Sequence, residues 1–240
     1  MPHWARVLLD VLVPRCCEVC ERALPVGHTS CVCAGCRASM RPLPKSLCVA
    51  CGVPLPPASR PRCPICIASP PRFTTARAAA LYLPTAVGLN PLAAAIHHLK
   101  YARRRRLAGP LGALLAERFP FGDGVLLVPV PLHTSRLRRR GFNQAVALAR
   151  VLGRQRGLPI APRVLARTRA TSAQAALAAA ERRRNLLGAF AVRRPTLVAG
   201  RHVVLVDDVL TTGATANACA EALLAAGARR VDVYTVGRAP

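Results

Sequence analysis

Residues 203–215 (VVLVDDVLTTGAT) place two adjacent carboxylates between an apolar run and a loop of small residues. Val203, Val204, Leu205 and Val206 suit a central parallel strand buried on both faces. Asp207 and Asp208 follow at the strand's C-terminal end, where open α/β sheets bind ligands. Thr211, Thr212, Gly213, Ala214 and Thr215 carry no bulky side chain and lead into a helix over 214–226, with Gly227 as its C-cap. Backbone N–H groups backed by that helix N-terminus can surround a phosphate, and the threonine hydroxyls add donors. The two carboxylates are acceptors suited to vicinal ribose hydroxyls. Together the spacing describes a cradle for a phosphorylated sugar. The plainer alternative is a doubly wound domain whose Asp-Asp pair caps the helix.

A second chemistry lies upstream. Ten of the eleven cysteines fall between residues 16 and 66. They include four Cys-x-x-Cys pairs: Cys17/Cys20, Cys33/Cys36, Cys48/Cys51 and Cys63/Cys66. Twelve residues separate the first two pairs and eleven the last two, so one unit is repeated. Two such knuckles can close a tetrahedral site of four thiolates around Zn²⁺, and metal binding supplies folding energy that so short a segment lacks. Disulfides and an iron–sulfur cluster are the alternatives. Cys16 and Cys31 adjoin knuckles and could replace Cys17 or Cys33. Cys219 reads as a small buried apolar residue of the last helix.

The elements between these blocks alternate. Residues 68–75 are Pro-rich and mark a boundary between a domain over 1–67 and one over 76–240. Strands are expected over 76–83, 125–130 and 230–236, and helices over 91–101, 107–119, 145–154 and 172–187, with 160–170 irregular. That alternation implies an α/β domain with a parallel sheet and flanking helices. After the second strand come His133, Arg136, Arg138, Arg139 and Arg140. Guanidinium forks bind phosphate oxygens bidentately, though not all four arginines can face one ligand. Arg167, Arg169, Gln174, Arg182–Arg184 and Asn185 form a second basic group, either a lid that excludes water or a surface hairpin. Lys100 and Tyr101, followed by Arg103–Arg106, form a third, either a solvated face or a contact for phosphate or nucleic acid.

Composition sets the bounds. Net charge is +25, and all but two of the 35 basic residues are Arg, which favours polyanionic partners. No run of apolar residues is long enough for a membrane span. Residues 1–17 read as a short amphipathic helix rather than a signal peptide, which points to the cytoplasm.

The order of these parts carries a resemblance. It runs from the duplicated Cys knuckles through Lys100-Tyr101 and Val128-Pro129-Val130-Pro131-Leu132-His133 to Arg140-Gly141-Phe142-Asn143-Gln144. It continues through Arg167-x-Arg169, Arg184-Asn185 and Val206-Asp207-Asp208-Val209-Leu210-Thr211-Thr212-Gly213-Ala214-Thr215. The last stretch resembles the phosphoribosyl-pyrophosphate (PRPP) loop of type I phosphoribosyltransferases. The whole resembles the ComF family, in which a double zinc ribbon precedes a phosphoribosyltransferase-like domain. The resemblance implies that Asp207 and Asp208 contact the ribose hydroxyls, that 211–215 binds the 5′-phosphate, and that Mg²⁺ accompanies PRPP. It also implies pyrophosphate or lid roles among Lys100, Arg136, Arg140, Arg167 and Arg169. Thr211 stands where hypoxanthine-type salvage enzymes carry Asp, which argues against that base chemistry. The implied setting is natural competence and the handling of imported single-stranded DNA, with uptake-machinery proteins as further partners. Two activities stay open: a glycosyl-transfer enzyme of unidentified acceptor, and a non-catalytic factor that senses PRPP or a nucleotide while binding DNA or protein.

Overall fold

A computed structural model describes residues 14–83, 90–169 and 188–240. Residues 1–13 of the expected N-terminal helix and the expected helix over 172–187, with Gln174, Arg182–Arg184 and Asn185, lie outside the described residues, and residues 14–17 are not helical. The Cys block holds two short helices, α1 (Ala34–Ala38) and α2 (Pro64–Ala68), capped by Cys33 and Cys63, the first cysteine of the second Cys-x-x-Cys pair in each half. Then follow β1 (Ala76–Leu81), α3 (Pro91–Tyr101), a 3₁₀ turn at Arg105–Leu107, α4 (Ala108–Glu117) and β2 (Leu126–Pro129). Next come α5 (Thr134–Arg140), α6 (Gln144–Arg156), β3 (Leu165–Arg167) and β4 (Phe190–Val192). The chain closes with β5 (His202–Leu210), α7 (Ala214–Ala225) and β6 (Arg230–Arg238).

Four strands form one parallel sheet in the order β1-β6-β5-β2. β5 is central because its side chains are apolar in both directions. Val204 and Val206 enter a core with α3, α4 and α6, while Val203 and Leu205 enter a second core beneath α7. Helices on both faces bury the continuous apolar run, as parallel sheets require. β3 and β4 pair antiparallel as a separate two-stranded ribbon.

Two local expectations change, and one run that had none forms a helix. β5 runs on to Leu210, so Asp207 and Asp208 lie within a strand and alternate faces instead of ending it. Residues 165–167, expected irregular, form β3 because they find a partner in β4. The arginine run 134–140 is a helix, started by His133 Nδ1 accepting from the Ser135 N–H at 3.3 Å.

Both halves of the Cys block are docked on the sheet domain. In the first half, Cys17, Cys36, Val32 and Met40 belong to the same buried core as Leu99, Leu111 and Leu148. The Glu18 carbonyl accepts from His98 Nδ1 at 2.8 Å and from Arg104 Nη1 at 2.7 Å. In the second half, the Ala76 N–H donates to the Ala50 carbonyl at 2.6 Å. Gly52 permits that approach, since its φ is +66° and a Cβ there would sit 2.5 Å from the Ala76 oxygen.

Candidate functional site

The site is assembled at the C-terminal ends of β2 and β5 by three helices and one loop. α3 begins on Asn90, whose side chain accepts from the Leu92 and Ala93 N–H groups, and Pro91 fills its first position. Its last turn delivers Lys100 to the acidic pair, with Nζ 2.9 Å from Asp208 Oδ2. Each carboxylate is pinned by the chain that follows it. The Asp208 N–H donates to Asp207 Oδ1 at 2.9 Å, and the Val209 N–H donates to Asp208 Oδ1 at 2.7 Å. Asp208 is buried, whereas Asp207 is partly exposed.

Arg140-Gly141-Phe142-Asn143-Gln144 is the joint between α5 and α6. Gly141 ends α5 at φ +77°, and Asn143 caps α6 by accepting from the Ala145 N–H at 2.9 Å. Asn143 Nδ2 also donates to the Val130 carbonyl at 3.0 Å, which ties the joint to the end of β2. Gln144 is buried and accepts from Arg140 Nη1 at 2.6 Å. The motif therefore aims Arg140, whose guanidinium lies 5.2 Å from the Tyr101 ring centroid. Lys100, Tyr101, Arg103, Arg136, Arg139 and Arg140 line a cleft of about 260 Å³. Among the described residues no carboxylate lines that cleft, so its lining charge is positive.

Charge couples these groups. Burial and the neighbouring Asp208 push Asp207 up to about 7, against the pull of Lys100 and Arg140. Burial disfavours the Lys100 charge, but Asp208 outweighs it and holds Lys100 above the ordinary lysine value. Burial and the nearby charge of Arg136 push Arg167 below the ordinary arginine value, and Asp207 opposes them. Arg167, on β3, thus joins the electrostatic field of Asp207 and Arg136, while Arg169 is exposed. Sequence reasoning named Lys100, Arg136, Arg140, Arg167, Arg169, Asp207 and Asp208 as site candidates and offered Tyr101, Arg103 and Arg139 as phosphate contacts, but it did not anticipate the Lys100–Asp208 pair.

The Asp207 shift has a measurable sign. Its folded pKa lies above the ordinary value of 3.8, so between about pH 4 and about pH 7 the folded protein holds a proton that the unfolded chain has lost. Stability contributed by this group therefore falls as pH rises through that window. Asp207→Asn is expected to remove this component, raising thermal stability relative to the parent near pH 7 and leaving it unchanged near pH 4. Melting curves of both proteins across the window check it, and parallel pH dependences would count against it.

The loop Thr211–Gly213 leaves β5 and enters α7 at Gly213, whose φ of +78° makes it the helix cap. Thr211 and Thr212 are exposed, and Thr212 Oγ1 accepts from the Ala214 N–H at 3.4 Å. The loop lines a larger pocket of about 530 Å³, together with Cys51, Cys63 and Cys66.

The eight x₂-paired cysteines gather into two tetrads, Cys17/Cys20/Cys33/Cys36 and Cys48/Cys51/Cys63/Cys66, with all sulfurs of a tetrad within 4.8 Å. Sγ–Sγ is 3.7 Å for Cys20–Cys33 and again for Cys51–Cys63. A tetrahedron with Zn–S arms of about 2.3 Å has edges of about 3.8 Å, so the donor set suits zinc. Cys16 and Cys31 stand outside both tetrads. The two sites repeat their internal bonding: the Cys33 N–H donates to Cys17 Sγ at 3.3 Å, and the Cys63 N–H to Cys48 Sγ at 3.4 Å. Burial opposes a thiolate at Cys17 and Cys48, but such N–H donors outweigh it and lower both to about 6.

The profile of the phosphoribosyl transferase domain family matches residues 137–240. The chain is 38% identical over 233 residues to the DNA utilization protein YhgH of Escherichia coli K12, covering 94% of this chain and 98% of that protein. It is also 38% identical over 114 residues to Competence protein F of Haemophilus influenzae, covering 47% of this chain and 50% of that protein. Among solved structures, the glutamine PRPP amidotransferase of B. subtilis superposes with a TM-score of 0.40 at 19% identity, covering 58% of this chain and 30% of that chain. No helix among the described residues is long and apolar enough to cross a membrane.

Proposed function

Because the chain belongs to the ComF family, with a phosphoribosyltransferase-type domain behind two zinc-compatible cysteine tetrads, we propose that it binds Mg·PRPP and transfers the phosphoribosyl group. The observation that carries this reading is the convergence of a carboxylate pair and a cleft lined by Lys100, Tyr101 and four arginines at one end of one sheet, joined through Lys100. Asp207 and Asp208 accept from the ribose hydroxyls, and residues 211–215 hold the 5′-phosphate. Lys100, Arg136 and Arg140, with Arg167 behind them, hold the pyrophosphate. An acceptor nucleophile forms a bond to the anomeric carbon while the bond from that carbon to the pyrophosphate oxygen breaks, and its electron pair leaves with the pyrophosphate. The arginines stabilise that departing charge. Mg²⁺ supplies further neutralisation of the pyrophosphate when bound. Lys100 must release Asp208 as the ligand enters, and the same lysine is then free to meet the pyrophosphate.

The two tetrads each hold one structural Zn²⁺ in this reading. The setting is the cytoplasm, in competence or the handling of imported single-stranded DNA. The +25 charge and the names of the relatives support it, and DNA or uptake-machinery proteins are the macromolecular partners. Incubation with Mg·PRPP and a panel of bases, nucleotides and single-stranded DNA tests the reaction. Pyrophosphate release with one acceptor class is the expected result. Calorimetric binding of Mg·PRPP without release from any acceptor would instead favour a non-catalytic factor that senses PRPP.

A further inference from the structure

We infer that Arg238 is a positioning residue that couples the second cysteine tetrad to the 211–215 loop, so that metal held by the tetrad and phosphate held by the loop sense one another. The inference rests on the reading of that loop as a phosphate site. Arg238 ends β6 beside Leu210 and is only 6% exposed. Its guanidinium donates in two directions. Nη1 reaches the Leu210 carbonyl at 3.1 Å and the Thr211 carbonyl at 2.9 Å, and also meets the Ala239 carbonyl. Nε reaches the Cys51 carbonyl at 2.9 Å, and Nη2 lies 3.7 Å from Cys51 Sγ.

A guanidinium is a rigid planar fork with fixed donor directions. A buried one that is bonded on both edges cannot reorient one edge without moving the other. Displacement of the Thr211 carbonyl when the loop closes on a phosphate therefore moves the donor at Cys51 Sγ. Donors to a metal-bound thiolate tune the metal, and here the donor is a cation facing a tetrad whose four thiolates leave a zinc site net negative. The loop and Cys51 also line one pocket together with Arg238. The first tetrad is docked differently, on α3 through the Glu18 carbonyl. The duplicated unit is thus used twice for different purposes, and the second copy is part of the ligand site.

Cobalt(II) loaded into the full chain in place of zinc reports on this coupling, because its absorption bands follow the environment of the thiolates. Titration with Mg·PRPP, and separately with inorganic phosphate, is expected to shift the bands with the midpoint that calorimetry gives for the same ligand. Arg238→Lys keeps the positive charge but replaces the fork with a point donor. It is expected to abolish the shift and weaken binding about tenfold, the order of one lost bond from a charged donor. Metal content and melting temperature close to the parent's show that the variant is folded. Arg238→Gln, which keeps donors without charge, is expected to lose the shift as well. Heat of binding without a band shift in the parent overturns the coupling alone. An unchanged shift in folded Arg238→Lys overturns it too. Absence of binding by either ligand overturns the phosphate reading of the loop and the coupling with it.

Discussion

Replacing Asp207 and Asp208 together with Asn is expected to weaken Mg·PRPP binding at least a hundredfold while leaving the protein folded. The two carboxylates are proposed acceptors for the ribose hydroxyls, and a hydrogen bond to a charged group is worth about 1.5–3 kcal/mol. Two such losses correspond to factors of about a hundred to ten thousand in affinity. The fold has little reason to suffer. Asn has the same shape, and its amide oxygen can still accept from the Asp208 and Val209 N–H positions that now pin the carboxylates. The substitution also removes the buried charge and the Asp208 repulsion that together push Asp207 up to about 7. Lys100 loses its partner, but its side chain is 22% exposed and opens onto the anion cleft, so its ammonium can turn toward water. Calorimetry with Mg·PRPP and a melting curve on the same sample check both halves. Unchanged affinity in a folded double variant would sink the assignment of the pair.

The parts of this site that were legible in sequence share a property: each is written in consecutive residues. The run 203–206 announces a central strand because nothing in it tolerates water on either face. The Cys-x-x-Cys pairs announce tetrads because a knuckle is a local turn. The end of α3 and the joint at 140–144 were legible as basic or polar groups, and in the structure Lys100, Tyr101 and Arg140 line one cleft. What was not legible depends on contacts across the chain. Lys100 and Asp208 meet only because α3 and β5 flank the same sheet end. Arg238 lies beyond the strand expected over 230–236 and drew no notice, since one arginine among so many carries no signal of its own. Its burial follows from β6 lying between β1 and β5 while the second knuckle docks on β1. β3 escaped notice because three residues carry no periodicity, and only pairing with β4 makes them a strand.

Metal analysis of fresh, reduced protein is expected to find two zinc ions per chain, and removing either one should cost more than any single side chain in the sheet domain. Structural zinc in small knuckles contributes about 10–16 kcal/mol of apparent binding free energy near neutral pH, comparable with or above the net stability of a whole domain, about 5–15 kcal/mol. The two sites should differ in what they take down with them. Cys17 and Cys36 share a buried core with Leu99, Leu111 and Leu148, so losing the first ion exposes the sheet domain's own helices. Cys48, Cys63 and Cys66 form a small separate cluster with Ala50, so losing the second ion opens a local unit. Cys36→Ser is therefore expected to reduce zinc to one per chain and to lower the main melting transition sharply or abolish it. Cys66→Ser should also retain one zinc but keep a cooperative transition closer to the parent's. It should lose phosphate affinity, because the Cys51 end of the Arg238 clamp is no longer held. Fewer than two zinc ions per chain in the parent, or equal melting of the two variants, would contradict this division of labour between the duplicated halves.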